Sequence, residues 1–287
     1  MSRIAYVNGR YVALAEAAVH VEDRGYQFAD GVYEVIGIRG GRLIDEDLHL
    51  ERLDRSLGEV QLARPMDRRA LRLVMREVIR RNRSRDGVLY IQVSRGSAPR
   101  DHKFPAASEP ALVITLRRAR PPDPRLVEKG ASVIIIPDIR WRRCDIKSVS
   151  LLPNVLGKQQ AVEAGAYEAW QVDDNGDVTE GTSTNAWIVS ADNALVTRDA
   201  GRAILNGVTR LAVLRIAEEE GVAFHERPFS VAEAKAAREA FVTSTSTLVL
   251  PVVRIDGAPV GDGEPGPLTR RLCRLYDDHL QGGEAAT

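Results

Sequence analysis

The chain has 287 residues, 44% of them hydrophobic and 28% charged, and its 40 basic and 40 acidic side chains cancel. That balance excludes a partner held by bulk electrostatics, nucleic acid first among them. No apolar run approaches the ~20 residues of a membrane span and Met1-Ser2-Arg3-Ile4-Ala5-Tyr6 opens no signal-peptide core, so a cytoplasmic protein of one large or two medium domains is expected.

In chain order, residues 4–7 and 11–13 flank Asn8-Gly9, a pair that favours the positive φ of a tight hairpin. Residues 31–38 alternate and are β-branched, and Gly40-Gly41 turns them into residues 42–44, a second hairpin. Asp45 is the expected cap of a helix that carries Leu48, Leu53, Leu57 and Val60 at helical spacing. Asp67 caps a clearer helix, with Leu71, Val74, Met75, Val78 and Ile79 in one apolar stripe. Residues 88–93 and 112–116 read as buried strands separated by the polar, proline-containing segment 94–110, which suits a functional loop. Arg118-Ala119-Arg120-Pro121-Pro122-Asp123-Pro124 combines charge with three prolines, which favours extended backbone over helix. A linker is therefore expected at 119–127, between a small domain, 1–118, and a larger one, 128–287.

The second half opens with an apolar strand at 133–136, then the polar stretch around Lys147, then a helix capped by Asn154 and ended near Gly165. Residues 167–172, 178–179 and 185–189 are strand-like with Asn175-Gly176 as a turn, an order that reads as a meander and not as βαβ alternation. Ile204-Leu205-Asn206-Gly207-Val208-Thr209 leads into a helix along Val208, Leu211, Ala212 and Arg215, with Gly221 beyond its end. Residues 241–243 and 248–253 are strands around Ser244-Thr245-Ser246-Thr247, 268–280 is a closing helix and 281–287 a frayed tail. The class is α+β.

Lysine is scarce here: Lys147 shares the chain with only Lys103, Lys129, Lys158 and Lys235. A lysine loses its proton when desolvated and then attacks a carbonyl, whereas arginine stays charged. Lys147 stands between an extended polar run and a helix start, where it could serve as a Schiff-base lysine; taken alone it reads as a surface residue. Three segments suit an anionic phosphate. Asn206-Gly207-Val208-Thr209 offers backbone N–H groups at a helix start, Ser244-Thr245 offers hydroxyls, and Arg52 falls three residues after His49 on one helix face. Glu180 lies among small polar residues; buried, it could hold a ring nitrogen protonated and improve the ring as an electron sink, and the alternative is a turn glutamate in water. Cys144 and Cys273 sit in no metal-ligand or disulfide spacing, which suits a reducing compartment.

Asp145-Ile146-Lys147, Thr179-Glu180-Gly181 with Thr182-Ser183-Thr184-Asn185, and Ile204-Leu205-Asn206-Gly207-Val208-Thr209-Arg210 resemble, in order and spacing, the class IV (fold type IV) pyridoxal-phosphate aminotransferases. The likeness runs from Tyr6-Val7-Asn8-Gly9 to Pro251-Val252-Val253-Arg254-Ile255-Asp256-Gly257. It implies a small N-terminal α/β domain, a larger C-terminal domain rich in antiparallel strands that carries the lysine, a homodimer, and pyridoxal 5′-phosphate at the domain boundary. Lys147 would then anchor the cofactor covalently and shuttle the proton at substrate Cα, and Glu180 would pair with the pyridine nitrogen. Arg52, Val208, Thr209, Ser244 and Thr245 would surround the phosphate, and Leu205 would pack on the ring face.

Within that family Gly31-Val32-Tyr33-Glu34-Val35, Tyr90-Ile91-Gln92-Val93-Ser94-Arg95-Gly96 and Pro99-Arg100-Asp101-His102-Lys103-Phe104-Pro105 look most like the D-amino acid aminotransferases. The resemblance implies a substrate-carboxylate trap of Tyr33, Arg100 and His102, the last two reaching in from the partner subunit. It implies ping-pong transamination between a D-amino acid and a 2-oxo acid, such as D-alanine with 2-oxoglutarate giving pyruvate and D-glutamate. A branched-chain L-amino acid aminotransferase would share the lysine, glutamate and phosphate residues without the trap; aminodeoxychorismate lyase and R-selective amine transaminases share the scaffold. The chain departs from the pattern at Leu151-Leu152-Pro153-Asn154, where a proline precedes the expected cap and bears on substrate breadth. A non-enzymatic domain that binds a phosphate ligand or a protein through the same loops is the reading of a different class.

Overall fold

The computed structural model describes residues 3–118 and 123–282. They form two compact units: the described residues through 118 with Ile146–Ser150, and residues 123–145 with 151–282. The expected linker includes 119–122, which lie outside the described residues. Its remainder is not extended, because Pro124–Lys129 is a helix (α4 below). Proline is tolerated in a first helical turn, where its missing N–H has no partner to lose, and the Asp123 carboxylate accepts from Arg125 N–H to cap it.

In the first unit β1 (Ile4–Val7) and β2 (Arg10–Ala13) are joined by Asn8 and Gly9 at φ 44° and 88°, the left-handed turn a two-residue hairpin needs. After α1 (Arg24–Phe28) come β3 (Gly31–Arg39), β4 (Arg42–Leu43), α2 (Glu46–Glu59), α3 (Arg68–Asn82), β5 (Gly87–Ser94) and β6 (Ala111–Arg117). Among the described residues they make a six-stranded sheet in the order β2-β1-β6-β5-β3-β4, antiparallel throughout. Its core joins Val32, Ile36 and Ile38 of β3 to Leu50, Leu53 and Leu57 of α2 and to Leu71, Met75, Val78 and Ile79 of α3. Asp67 caps α3 through its bond from Ala70 N–H. Asp45 holds the N-cap position of α2 as expected, its carbonyl accepting from His49 N–H, but it is left-handed, at φ 50°, and makes no side-chain cap bond, while Glu46 and Asp47 meet the helix dipole in the first turn.

In the second unit α4 (Pro124–Lys129) precedes β7 (Ala131–Pro137), α5 (Leu152–Glu163), β8 (Glu168–Val172), β9 (Val178–Gly181), β10 (Asn185–Val189) and β11 (Leu195–Thr197). Then follow α6 (Val208–Glu219), β12 (Phe224–Glu226), α7 (Val231–Ala236), β13 (Glu239–Ser244), β14 (Leu248–Ile255), β15 (Ala258–Pro259) and α8 (Pro267–Gln281). The described strands form a nine-stranded sheet, β12-β11-β10-β13-β14-β7-β8-β9 with β15 on β14. The expected meander is corrected here. β7 and β8 are parallel and joined across α5, β11 and β12 are parallel and joined across α6, and β14 also runs parallel to β7. A parallel pair needs a crossover long enough to return the chain to its starting edge, and the twelve-residue helices α5 and α6 supply it. The α5 cap also differs. Leu151 holds the cap position, Pro153 sits in the first turn, and the Asn154 amide donates outward to Thr182 O at 2.8 Å. Among the described residues no helix is long and apolar enough to cross a membrane.

Met75 is fully buried where α3 meets the first sheet. Met75→Ala is expected to destabilise the protein by about 3 kcal/mol, read as a lower urea midpoint, because the cavity would be lined by rigid strands and helices.

Candidate active site

In β3 alternate side chains face opposite sides, so adjacent residues Tyr33 and Glu34 serve different surroundings. Glu34 shares its face with Val32, Ile36 and Ile38 and is completely buried. Its carboxylate is met from α2. Arg52 Nε donates to Oε1 at 2.8 Å and Nη2 to Oε2 at 2.9 Å, and His49 Nδ1 lies 2.8 Å from Oε2. The expected pairing of His49 and Arg52 on one helix face is present, and its organiser, Glu34, is what inspection of the two residues alone misses. The signal was available: a glutamate in phase with three apolar core positions must find cations. Burial raises the Glu34 pKa, but Arg52 and His49 outweigh it and hold the carboxyl down to about 2. Burial lowers the His49 pKa, with the Arg52 and Lys147 charges adding to it.

Ile146–Ser150 is grouped with this first unit, although the expected boundary assigns Lys147 to the larger domain. The cause is backbone pairing. Tyr33 N–H donates to Lys147 O at 2.9 Å, Val149 N–H to Gly31 O at 3.1 Å, and Val32 bridges Ser148, so the segment lies along β3. Lys147 N–H also donates to Ser56 Oγ of α2 at 3.3 Å. The half-buried Lys147 extends over the Tyr33 ring, its Nζ 4.3 Å from the centroid. Tyr33 stacks on Tyr90, centroids 5.6 Å apart, and burial pushes the Tyr90 hydroxyl up to about 12.

Arg100 and His102 gather elsewhere in the unit, around Phe28, with the Arg100 Cζ 4.9 Å and the His102 ring 5.5 Å from its centroid. Both side chains are exposed, yet their loop is held from below. Buried Arg24 donates to Asp101 O at 2.6 Å and to Asp30 Oδ2 at 2.8 Å, and Arg95 donates to the same Asp30 oxygen at 2.8 Å. The single chain thus joins Arg100 to His102, and Tyr33 to Lys147.

In the second unit Glu180, in β9, is buried among donors. Arg140 pairs with Oε1, Asn185 Nδ2 donates to Oε2 at 3.0 Å, and Leu205 N–H lies 3.2 Å from both oxygens. Burial raises the Glu180 pKa overall, against the lowering effects of Arg140 and the Leu205 amide. Arg140 is itself fixed by Asp138 and by Ala203 O. Sequence reading missed both arginine and aspartate, since nothing in their spacing from Glu180 marks them. Two residues beyond Leu205, Gly207 opens α6 with no side-chain cap bond, and Val208 and Thr209 form its buried first turn. Tyr276 OH donates to Thr209 Oγ1 at 3.4 Å. Ser244 ends β13, its Oγ accepting from Thr247 N–H at 3.0 Å, and Thr245 beside it is half-buried. The hydroxyls of Thr182, Ser183 and Thr184 turn instead to a second buried carboxylate, Glu168. Burial pushes the Cys144 thiol up to about 12.

Residues 31–255 match the model of the family described as amino-transferase class IV. The chain belongs to that family. The D-alanine aminotransferase of Bacillus licheniformis is 44% identical over 280 residues, 98% of each chain. Among solved structures, the branched-chain aminotransferase of Thermoproteus uzoniensis with norvaline superposes at TM-score 0.88 and 26% identity, covering 99% of this chain and 97% of that one. The branched-chain amino acid aminotransferase of Thermobaculum terrenum in its PLP form shares the fold at TM-score 0.85 and 23% identity, covering 99% and 95%. Class IV aminotransferases are enzymes that use pyridoxal 5′-phosphate. The chemistry of the residues fits that group: a half-buried lysine, a buried carboxylate surrounded by donors, and a helix start with no side-chain cap.

The Glu34 pKa stands at about 2 in the folded chain against an ordinary 4.5, so the stability it contributes is full above pH 4.5 and is lost as pH falls toward 2. Glu34→Gln is expected to destabilise the protein by about 3 kcal/mol at neutral pH, by removing the buried charge that Arg52 and His49 meet, and to flatten this acid limb of a denaturation-versus-pH profile.

Proposed function

We propose that the protein transfers the amino group of a D-amino acid to a 2-oxo acid in a ping-pong reaction, with D-alanine and 2-oxoglutarate as the reference pair, and acts as a cytoplasmic homodimer. The observation that carries this reading is Lys147 Nζ lying 4.3 Å from the centroid of Tyr33, which brings the candidate lysine to the tyrosine of the candidate trap. The D-alanine aminotransferase relative, 44% identical along nearly the whole chain, supports the choice of substrate hand.

Bound pyridoxal phosphate supplies a carbonyl that captures the amino group and a ring that accepts the electron pair left at substrate Cα. Lys147 would hold the cofactor covalently and, as a free amine, would carry the proton at substrate Cα. Backbone bonds to Tyr33 and Ser56 hold its main chain, which restricts the approach of its amine. Glu180 would keep the ring nitrogen protonated, and Leu205 would pack on the ring face. The first-turn N–H groups of Val208 and Thr209 would bind the phosphate with the Ser244 and Thr245 hydroxyls, favoured by the helix dipole. Arg52, oriented by Glu34, would add a cation to the phosphate.

Tyr33, together with the partner's Arg100 and the partner's His102, fixes the substrate carboxylate. An arginine meets a carboxylate as a planar fork, and the two further donors set its direction. With the carboxylate held on one side, only one hand of amino acid presents its Cα hydrogen to Lys147. The same lysine and glutamate would serve a branched-chain L-amino acid aminotransferase, and branched-chain aminotransferase is the activity named for the solved structures of like fold.

Single-turnover spectra separate these readings. D-Alanine is expected to bleach the absorbance of the lysine-bound cofactor at least about tenfold faster than L-leucine, and bleaching by L-leucine alone would sink the D-assignment. Lys147→Ala is expected to abolish that absorbance band, whereas an unchanged band would show that another amine holds the cofactor.

A further inference from the structure

Asn185 opens β10 at the register position opposite Thr243, and its side chain is buried. The amide nitrogen uses both hydrogens: Nδ2 donates to Glu180 Oε2 at 3.0 Å and to Leu205 O at 2.8 Å. Its oxygen points the other way, against Gly207. A Cβ added at Gly207 would overlap Asn185 Oδ1, while the next nearest atoms, Asn185 Cγ and Arg210 Cβ, would stand at 3.3 and 3.4 Å. Gly207 has φ −66° and ψ 137°, a conformation open to any residue, so its need for glycine comes from that amide and not from the backbone.

One side-chain amide therefore touches the carboxylate, the main chain two residues before the α6 cap, and the cap itself. It has no slack, because rotating it to relieve contact at Gly207 breaks both bonds from Nδ2. We propose that Asn185 is a positioning residue that couples the Glu180 carboxylate to the start of α6, so that the ring-nitrogen and phosphate ends of the cofactor site are set by one side chain. This rests on the roles proposed above for Glu180, Val208 and Thr209. Removing the Nδ2 donor makes the Glu180 carboxylate a better base, and the shared proton then moves from the ring nitrogen toward Glu180.

The coupling is measured in holoenzyme with cofactor labelled with ¹⁵N at the ring nitrogen, across wild type, Asn185→Ala, Gly207→Ala and the double variant, with pyridoxal phosphate affinity read in parallel. Gly207→Ala, although it makes no change at Glu180 itself, is expected to move the ring-nitrogen resonance toward the unprotonated value and to weaken affinity about tenfold. In the Asn185→Ala background the added methyl has room, so the double variant should match Asn185→Ala in resonance and, within about twofold, in affinity. Losses that multiply in the double variant, or a Gly207→Ala enzyme with the wild-type resonance, overturn the proposal. Asn185→Asp keeps the side-chain volume and replaces the donor by an acceptor. It should move the resonance in the same direction even if the alanine variants fail to fold, and an unmoved resonance again overturns the proposal. Glu180→Gln separates the levels of argument. If it leaves the ring resonance unchanged, the Glu180 assignment falls and the coupling with it; if it moves the resonance while the Asn185–Gly207 cycle is additive, only the coupling falls.

Discussion

A carboxylate removed from water must be surrounded by donors, and among the buried carboxylates of the described residues Glu34 in the first unit, and Glu168 and Glu180 in the second, gather the candidate groups around them. Each recruits residues from a separate part of its own unit. Glu34 draws His49 and Arg52 from α2 onto β3. Glu168 gathers the hydroxyls of residues 182–184, and Glu180 gathers Arg140, Asn185 and the Leu205 amide. Within each unit the polar geometry follows from satisfying these charges, while the apolar core of that unit resists any movement that would leave them unpaired.

The strand period then sorts the roles. Glu34 faces the helices and holds Arg52, and its neighbour Tyr33 faces the other side, where Lys147 lies over its ring. One residue of slip in β3 would exchange the two, so its eight-pair register with β5 is as much a feature of the site as any side chain. Lys147 owes its place to main-chain bonds along the same strand, which a long flexible side chain could not provide for itself. The loop bearing Arg100 and His102 is fixed in the same manner, from behind, by Arg24 bonded to the carbonyls of residues 101 and 102.

Local chemistry made most elements legible. Asn8-Gly9 had to turn, Asp67 had to cap and residues 71–79 had to form a buried stripe, because each signal lies within a few residues of its consequence. One misreading was local: proline at residue 124 was read as a helix breaker, yet at a first turn it is compatible. The others arose where the deciding contact is remote. Asn154 carries a cap's chemistry, but its amide is taken by Thr182 O, 28 residues away. The parallel pairing of β7 with β8 is a property of the whole sheet, and neither strand carries a mark of it.

The sequence by itself determined the family and the α+β class, and it supplied the candidate groups for the chemistry. Lysine, glutamate and arginine each have reactivity set by covalent structure, and their order along the chain is not altered by folding. Only the tertiary structure decided what those groups are bonded to: Arg52 to Glu34, Glu180 to Arg140 and Asn185, and the hydroxyls beside Glu180 to Glu168 instead. The reason is range. A hydrogen bond is settled within about 3 Å of space, and residues 18, 40 or 14 positions apart meet only after the sheets have closed over them.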